Sequence, residues 1–435
     1  KLKNLFNILS KKYKKEKENF IIHKDYQISF KELFEKKYIS LKKISEGNVV
    51  AIIGDFSSET INILIRLIDL KAIIIPLTKE NRSNHKYFFE QACVDYVIEN
   101  NRITKLKTVK KNLLLEKFRL TKSPGIVFFS SGTTGRPKAI LHDLNIFLKR
   151  YSEPRPAFKT LNFLLFDHIG GMNTLFHTLF NKGQIVIPYV RNVTEIVNDI
   201  DNYKVELLPT TPTFLRMLLM NNELNLEKLK SLKIITYGSE MMDENTLMRL
   251  NKILPNVKFK QTYGMSEISI LKVKSENNKS LWIKIDSEEL ETKIIRKVLF
   301  IRSKIKMIGY LNHKSPFDKN GWYNTNDIVE KKNGLIKIVG RSKHIISIGG
   351  LKILPSEIER IALVSPLVKD AKAKGVSNPI TGQHIEIVCE PKKRINPDIF
   401  RQKLKSHFDL NLDPAIKPIK IVIKKIKISH RFKKL

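Results

Sequence analysis

Short β-branched runs alternate with longer amphipathic stretches through about the first 300 residues, the rhythm of strand and helix units packed into α/β layers. Val49 to Ile53 reads as a strand, Glu59 to Leu70 as a helix and Ala72 to Pro76 as another buried strand. The pattern recurs at Ile126 to Phe129, Leu161 to Phe166, Ile185 to Pro188, Val205 to Leu208, Ile234 to Tyr237 and Val257 to Lys260. So many buried strands imply more than one sheet. After about Leu299 the rhythm changes, and strand-like pieces are separated by turn clusters such as Asp318-Lys319-Asn320-Gly321 and Lys332-Asn333-Gly334. Beyond a boundary near Gly340, Pro355 to Val364 and Pro397 to His407 read as helices, and Ile385 to Cys389 and Ile419 to Ile428 as strands.

The 435 residues, at roughly 150 per domain, allow two to four domains with a sizeable core. A hydrophobic content of 42% is globular and excludes a disordered chain, whereas the formal net charge of +36 is unusual. Such charge attracts nucleic acid, anionic membranes or acidic partners. The lysines are spread along the whole chain, however, and no arginine block with interleaved aromatics appears, so no specific nucleic-acid partner is expected. Cys93 and Cys389 lie far apart without metal-ligand spacing, which fits a reducing cytoplasm. No apolar run reaches about 18 residues, so no membrane span is expected. Lys1 to Lys17 carries charge without a following apolar region, so no export signal is expected. The chain starts at Lys1 and not at Met, so a few initial residues are expected to be missing.

The sharpest chemical feature is Ile126-Val-Phe-Phe-Ser-Ser-Gly-Thr-Thr-Gly-Arg-Pro-Lys138. An apolar strand enters a loop of hydroxyl residues and glycines that ends in a lysine, so backbone N–H groups, hydroxyls and an ammonium can converge on phosphate oxygens. It is not a Walker A loop: Pro137 stands where that motif needs Gly, and Ala139 where it needs the magnesium-binding Ser or Thr.

This loop resembles that of the adenylate-forming superfamily, which includes acyl-CoA synthetases, luciferases and peptide-synthetase adenylation domains. Three further segments match in the family's order: Thr262-Tyr-Gly-Met-Ser-Glu267, Gly321-Trp-Tyr-Asn-Thr-Asn-Asp327, and Gly340-Arg-Ser-Lys-His through Pro355-Ser-Glu-Ile-Glu359. The resemblance implies a large N-terminal domain (1–340) of layered α/β subdomains plus a small β-barrel-like part. A small, mobile α+β C-terminal domain (341–435) follows, with its hinge near Lys343.

It also implies site roles. Ser130, Ser131, Gly132, Thr133, Thr134, Gly135 and Lys138 would hold the β- and γ-phosphates of ATP. Thr262, Tyr263 and Gly264 would lie at the adenine together with the turn Gly238-Ser239-Glu240. Glu267 would bind Mg2+, a hard cation that suits a carboxylate. Asp327, an acceptor-only side chain, and Arg341 would take the ribose. His168 would line the carboxylate pocket, with Met172, Asn173, Thr211, Tyr237 and Met265 as further acyl-pocket candidates. Asp167 has a counterpart in amino-acid-activating relatives, where it pairs the substrate amino group. Alignment on Ser429 puts Lys433 at the adenylation lysine, with Lys434 as the alternative. Lys433, Thr134, Glu267 and His168 are thus the expected catalytic residues, and Gly349 and Gly350 would line a tunnel for the pantetheine arm.

The implied activity is ATP-dependent conversion of a small-molecule carboxylic acid to acyl-AMP, then thioester formation with coenzyme A. The alternatives are transfer to the phosphopantetheine of an acyl carrier protein, or a catalytically weakened member acting as a binding protein. Departures from the pattern are Asn326 for the glycine before the ribose aspartate, Lys297-Val298-Leu299 for Gly-Glu-Leu, and a tail that lacks the usual Pro and Gly. Only 41 residues separate Glu267 from Gly309, so the barrel-like part is expected to be trimmed.

Overall fold

Alternation along the buried strands builds the layers. On Val49–Ile53, Val50 and Ile52 join one core while Val49, Ala51 and Ile53 join the opposite one, as expected of a parallel strand covered on both faces. The computed structural model describes residues 4–434 apart from 15, 17, 37, 108–109, 131–135, 152, 222, 287–288 and 349.

Two seven-stranded sheets form the large part of the molecule. In one, Gly125–Phe129, Ile73–Leu77, Val49–Ile53 and Tyr96–Glu99 run parallel, with Ala139–Asp143 returning antiparallel beside Gly125–Phe129. In the other, Lys258–Gln261, Ile234–Tyr237, Leu207–Thr210, Lys159–Leu161, Gln184–Val186 and Asn19–His23 are neighbours in that order, all parallel. The helices Ser58–Asp69 and Ile169–Phe180 are buried on nearly every side and share one core with both sheets. They form the central layer, which accounts for their all-round apolar character.

Six antiparallel strands, among them Val298–Ser303, Tyr323–Lys332 and Leu335–Arg341, make an open half-barrel. Its hairpin Leu290–Ile295 to Val298–Ser303 turns through Arg296 and Lys297 at φ 47° and 64°. The position usually held by glycine thus keeps its left-handed backbone without one. The last lobe is α+β: Val368–Asn378 and Gly382–Pro391 pair antiparallel, Lys420–Ile423 adds in parallel, and the helices Pro355–Val364 and Pro397–Asn411 pack on the sheet.

Two expected strands are shorter than the apolar pattern implies. Leu161 to Phe166 leaves the sheet after Leu161, because Phe163 and Phe166 serve different cores as the chain turns toward the helix capped by His168. Ile419 to Ile428 is strand only to Ile423. Beyond it the chain peels off, and the Ile426 amide donates to the Glu390 carboxylate at 3.1 Å.

Gly171 makes this turn possible: a Cβ there would lie 2.1 Å from the Leu165 carbonyl oxygen. Helix propensity alone favours alanine over glycine by about 1 kcal/mol, but overpacking against backbone costs about 1–3 kcal/mol. Gly171→Ala is therefore expected to lower stability in urea denaturation. Equal or higher stability would contradict this packing.

Candidate active site

Strands of both large sheets end at a cleft of about 2330 Å3 that extends to the C-terminal lobe. Loops at the carboxyl ends of such strands are the usual ligand-binding edge. Ile234–Tyr237 runs into Gly238, Ser239 and Glu240, and Lys258–Gln261 into Thr262, Tyr263 and Gly264; all six loop residues line the cleft. Gly238 has to be glycine, since a Cβ would stand 2.2 Å from Thr262 Oγ1, which donates to the Tyr237 carbonyl at 3.1 Å. Met265 and Glu267 continue the same wall.

Asp327 and Arg341 are paired across adjacent strands. Arg341 Nε donates to Asp327 Oδ1 at 3.0 Å, and Tyr263 Oη donates to Oδ2 at 2.7 Å. The carboxylate is buried while the guanidinium is half exposed. Burial and the neighbouring Asp327 charge push the Tyr263 phenol far above its ordinary range, so it remains a donor. Asn326 holds φ 58°, a left-handed position that asparagine tolerates better than most residues. The missing glycine therefore leaves Asp327 in place.

Ser130 and Lys138 stand at the two mouths of the hydroxyl-rich loop and line the cleft. Their backbones are joined, Ser130 N to Lys138 O at 3.0 Å, and the Lys138 amide donates to Ser130 Oγ at 3.1 Å. Ser131, Gly132, Thr133, Thr134 and Gly135 lie outside the described residues. The Lys138 ammonium sits 4.9 Å from the Tyr310 ring centroid, and Tyr310 Oη donates to Glu267 Oε1 at 2.7 Å. Burial, with Glu267 beside them, raises the phenols of Tyr310 and Tyr323. These two tyrosines orient the carboxylate, and neither stood out in the sequence. Among the described residues no group of three or more His, Cys, Asp and Glu side chains could hold a metal. A magnesium ion here would take Glu267 together with phosphate oxygens and water, a donor set that suits this cation.

The tail crosses the cleft from the other lobe. Arg431 forms a buried ion pair with Asp167 at 2.6 Å, and Asn81 donates to the same carboxylate oxygen at 2.6 Å. Phe432 packs against Phe163 and Phe214, with ring centroids 4.8 Å and 5.7 Å away. Its carbonyl accepts from Thr211 Oγ1 at 3.0 Å, and its φ of 53° occupies the left-handed conformation of the missing tail glycine. Lys434 turns back to its own lobe: its ammonium meets Asp370 at 2.5 Å and the Ala371 carbonyl at 3.0 Å, while its amide donates to Glu240 at 3.1 Å.

Lys433 lines the cleft, and no ion pair forms to its ammonium among the described residues. Burial, reinforced by Arg431 and Arg341, lowers its pKa to about 8. His168 also lines the cleft; its Nδ1 accepts from the Gly170 amide at 3.0 Å, and burial with Lys433 and Arg431 nearby keeps it neutral.

The acyl-pocket candidates divide. His168, Asn173 and Met265 line the cleft, but Met172 and Tyr237 point into hydrophobic cores and Thr211 is covered by Phe432. Met172 lies on the inner face of its helix, next to cleft-facing Asn173, and Tyr237 is still within the sheet. Asp167 is occupied by Arg431 and Asn81 and not open to a substrate amino group. Lys343 lines the cleft, whereas Gly350 stands in open space at a hairpin tip with φ 91°, and Gly349 lies outside the described residues.

Residues 44–285, more than half of the chain, match the family described as AMP-binding enzyme. The chain belongs to this family. Among relatives, 4-coumarate–CoA ligase-like 6 of Arabidopsis thaliana is 25% identical over 291 residues, 59% of this chain and 51% of that protein. The chain thus spans about half the length of the curated relatives it matches. The fold is that of solved structures such as the anthranilate CoA ligase AuaEII in complex with anthranoyl-AMP, with a TM-score of 0.81 and 16% identity over 99% of this chain and 95% of that one. ATP-bound MatB from Rhodopseudomonas palustris superposes with a TM-score of 0.80 and 17% identity over 99% and 96% of the two chains. The AMP-binding match ends before Asp327, Arg341 and the tail, so these join the site through geometry alone.

Removing one member of a buried ion pair costs about 3–5 kcal/mol, because the other charge is left uncompensated. Asp167→Asn is therefore expected to undock the tail and speed tryptic cleavage at Lys433 and Lys434 by about tenfold or more. Unchanged cleavage kinetics would contradict the docking role of Arg431.

Proposed function

We infer that this chain activates a carboxylic acid with ATP to give an acyl-AMP, and then passes the acyl group to coenzyme A. One observation carries this reading: the mouths of the hydroxyl-rich loop, Glu267, the Asp327–Arg341 pair and an unpaired Lys433 all line one cleft. Kinship with AMP-binding enzymes and with proteins named as CoA ligases supports it.

In the first step a carboxylate oxygen attacks the α-phosphorus of ATP, the bond from that phosphorus to the bridging oxygen breaks, and pyrophosphate leaves. Two anions meet and charge grows on the phosphoryl oxygens, so positioning and positive charge supply most of the catalysis. Lys138 and the loop from Ser130 through Ser131, Gly132, Thr133, Thr134 and Gly135 grip the phosphates. Asp327 accepts from the ribose hydroxyls, with Arg341 alongside. The Gly238-Ser239-Glu240 turn and Thr262-Tyr263-Gly264 hold the base. Magnesium on Glu267 would supply further positive charge, and His168 faces the substrate carboxylate. Lys433 supplies the cation at the reacting phosphate; the commitment of Lys434 to Asp370 supports this choice between neighbours.

In the second step the thiol sulfur attacks the acyl carbon and AMP leaves. For this step, residues 341–435 rotate about Lys343 as a separate domain, and Gly349 and Gly350 turn in to line the thiol channel. The open setting of Gly350 in the present conformation is consistent with that movement. A net charge of +36 also suits an acidic carrier protein as acceptor. Thioester formed with a carrier but never with free CoA would select this second reading. A cytoplasmic location belongs to the same proposal. No helix among the described residues is long and apolar enough to cross a membrane.

Two outcomes test the assignment. In acid-dependent ATP–pyrophosphate exchange, Lys433→Ala is expected to lose about 100- to 1000-fold, the cost of removing a preorganised donor to the transition state. Lys434→Ala is expected to lose less than about tenfold, since its ammonium is held by Asp370 and the Ala371 carbonyl and not turned to the reacting phosphate; the reverse order would contradict the choice of lysine. Because the cationic form works and its pKa is about 8, kcat/KM for adenylation is expected to fall as pH rises above about 8, the free-enzyme protonation that this parameter reports. In Lys433→Ala that alkaline limb should vanish.

A further inference from the structure

Lys138 is held by more than the loop it closes. The two peptide units that flank its Cα carry four polar atoms, and all four are engaged. Ser130 takes two of them: its amide donates to the Lys138 carbonyl at 3.0 Å, and its hydroxyl accepts from the Lys138 amide at 3.1 Å. Asn312, 173 residues beyond Ala139, takes the other two: Nδ2 donates to the Pro137 carbonyl at 3.0 Å, and Oδ1 accepts from the Ala139 amide at 2.9 Å. The partners fix which way this amide points, since the reverse orientation would set its nitrogen, itself a donor, against the Ala139 N–H. Asn312 Nδ2 also donates to Tyr87 Oη at 3.0 Å, and Tyr87 in turn donates to the Pro137 carbonyl at 3.1 Å. With its backbone locked, Lys138 keeps freedom only in its side chain, whose ammonium stands 4.9 Å from the Tyr310 ring centroid.

Asn312 ends a segment that also reaches Glu267. Gly309–Tyr310 pairs antiparallel with Ala139–Asp143, and the Leu311 amide donates to the Ala139 carbonyl at 2.9 Å. At the segment's start the Met307 amide donates to the Glu267 carbonyl at 2.8 Å, while Tyr310 Oη holds the Glu267 carboxylate. Residues 307–312 thus grip Glu267 by main chain and side chain and bracket Lys138 from both sides. We propose that Asn312 is a positioning residue for the phosphate tail of ATP: it holds Lys138 in register with Glu267, so that the ammonium meets the β- and γ-phosphates without prior rearrangement. This role rests on the adenylating function proposed above.

The test is calorimetric binding of ATP and of AMP to the full chain in EDTA, which reads the protein's own grip without a metal ion. AMP lacks the two phosphates that Lys138 serves. In Asn312→Ala, ATP affinity is expected to fall by about tenfold, because two hydrogen bonds to the flanks of the lysine are lost, while AMP affinity changes by less than about twofold. The same substitution made in Lys138→Ala should change ATP affinity by less than about twofold, since a residue that acts through the lysine then has nothing to position. Tyr87→Phe removes only the hydroxyl that supports Pro137 and Asn312; it is expected to weaken ATP alone by about twofold to threefold, and it carries the test if Asn312→Ala does not fold. ATP and AMP weakened alike, ATP affinity unchanged, or the full loss repeated in Lys138→Ala would overturn this inference and leave the adenylating function standing. Binding of neither nucleotide by the unaltered chain would overturn that function itself.

Discussion

The pair Arg431–Asp167 joins residues 264 positions apart and is the contact on which the assembled cleft depends. It buries both charges, so it contributes little net stability by itself and a great deal of geometric definition. Either partner alone would strand a charge in an apolar wall beside Phe163 and Phe214. With the pair made, the tail has one seat, Phe432 fills the space between two phenylalanines, and the Lys433 ammonium is left facing the cleft.

A second constraint is the economy of acceptors around the nucleotide edge. Asp327 already takes Tyr263 and Arg341, and Glu267 takes Tyr310. These donors fix the carboxylates in orientation, while each ionised oxygen keeps a further lone pair for a ligand. Both carboxylates are thus held in a fixed orientation before any ligand is present, which is the condition for strong electrostatic assistance.

Much of this was legible in the sequence, for definable reasons. Strands covered on both faces read as uninterrupted apolar runs, so Val49–Ile53, Gly125–Phe129 and Ile234–Tyr237 stood out. The cleft loops were legible because glycines and hydroxyls cluster where backbone must approach a ligand. The Asp167 partnership was not, since nothing in local spacing couples it to an arginine in a lysine-rich tail. Tyr310 and Tyr323 escaped for a related reason: a phenol that orients a carboxylate looks in sequence like any half-buried aromatic. Met172 and Tyr237 lie in hydrophobic cores and not on the cleft wall, because successive residues of a helix or a strand face different sides. Departures that looked like losses, at Asn326, Lys297 and Phe432, keep positive φ without glycine, so the backbone path survived the change of residue.

Arg431 and Lys434 are three residues apart, yet they answer to opposite sides of the molecule: Asp167 in the large part and Asp370 in the last lobe. The seam between the two bodies therefore runs through the tail itself. The Lys434 ammonium is moored to its own sheet while its amide reaches Glu240, so the contacts that hold the tail to the large part are those of Arg431, Phe432 and the Lys434 backbone. A lobe exchanged between two such proteins would carry one mooring intact and leave the other adrift, unless the recipient offered an acid at the place of Asp167.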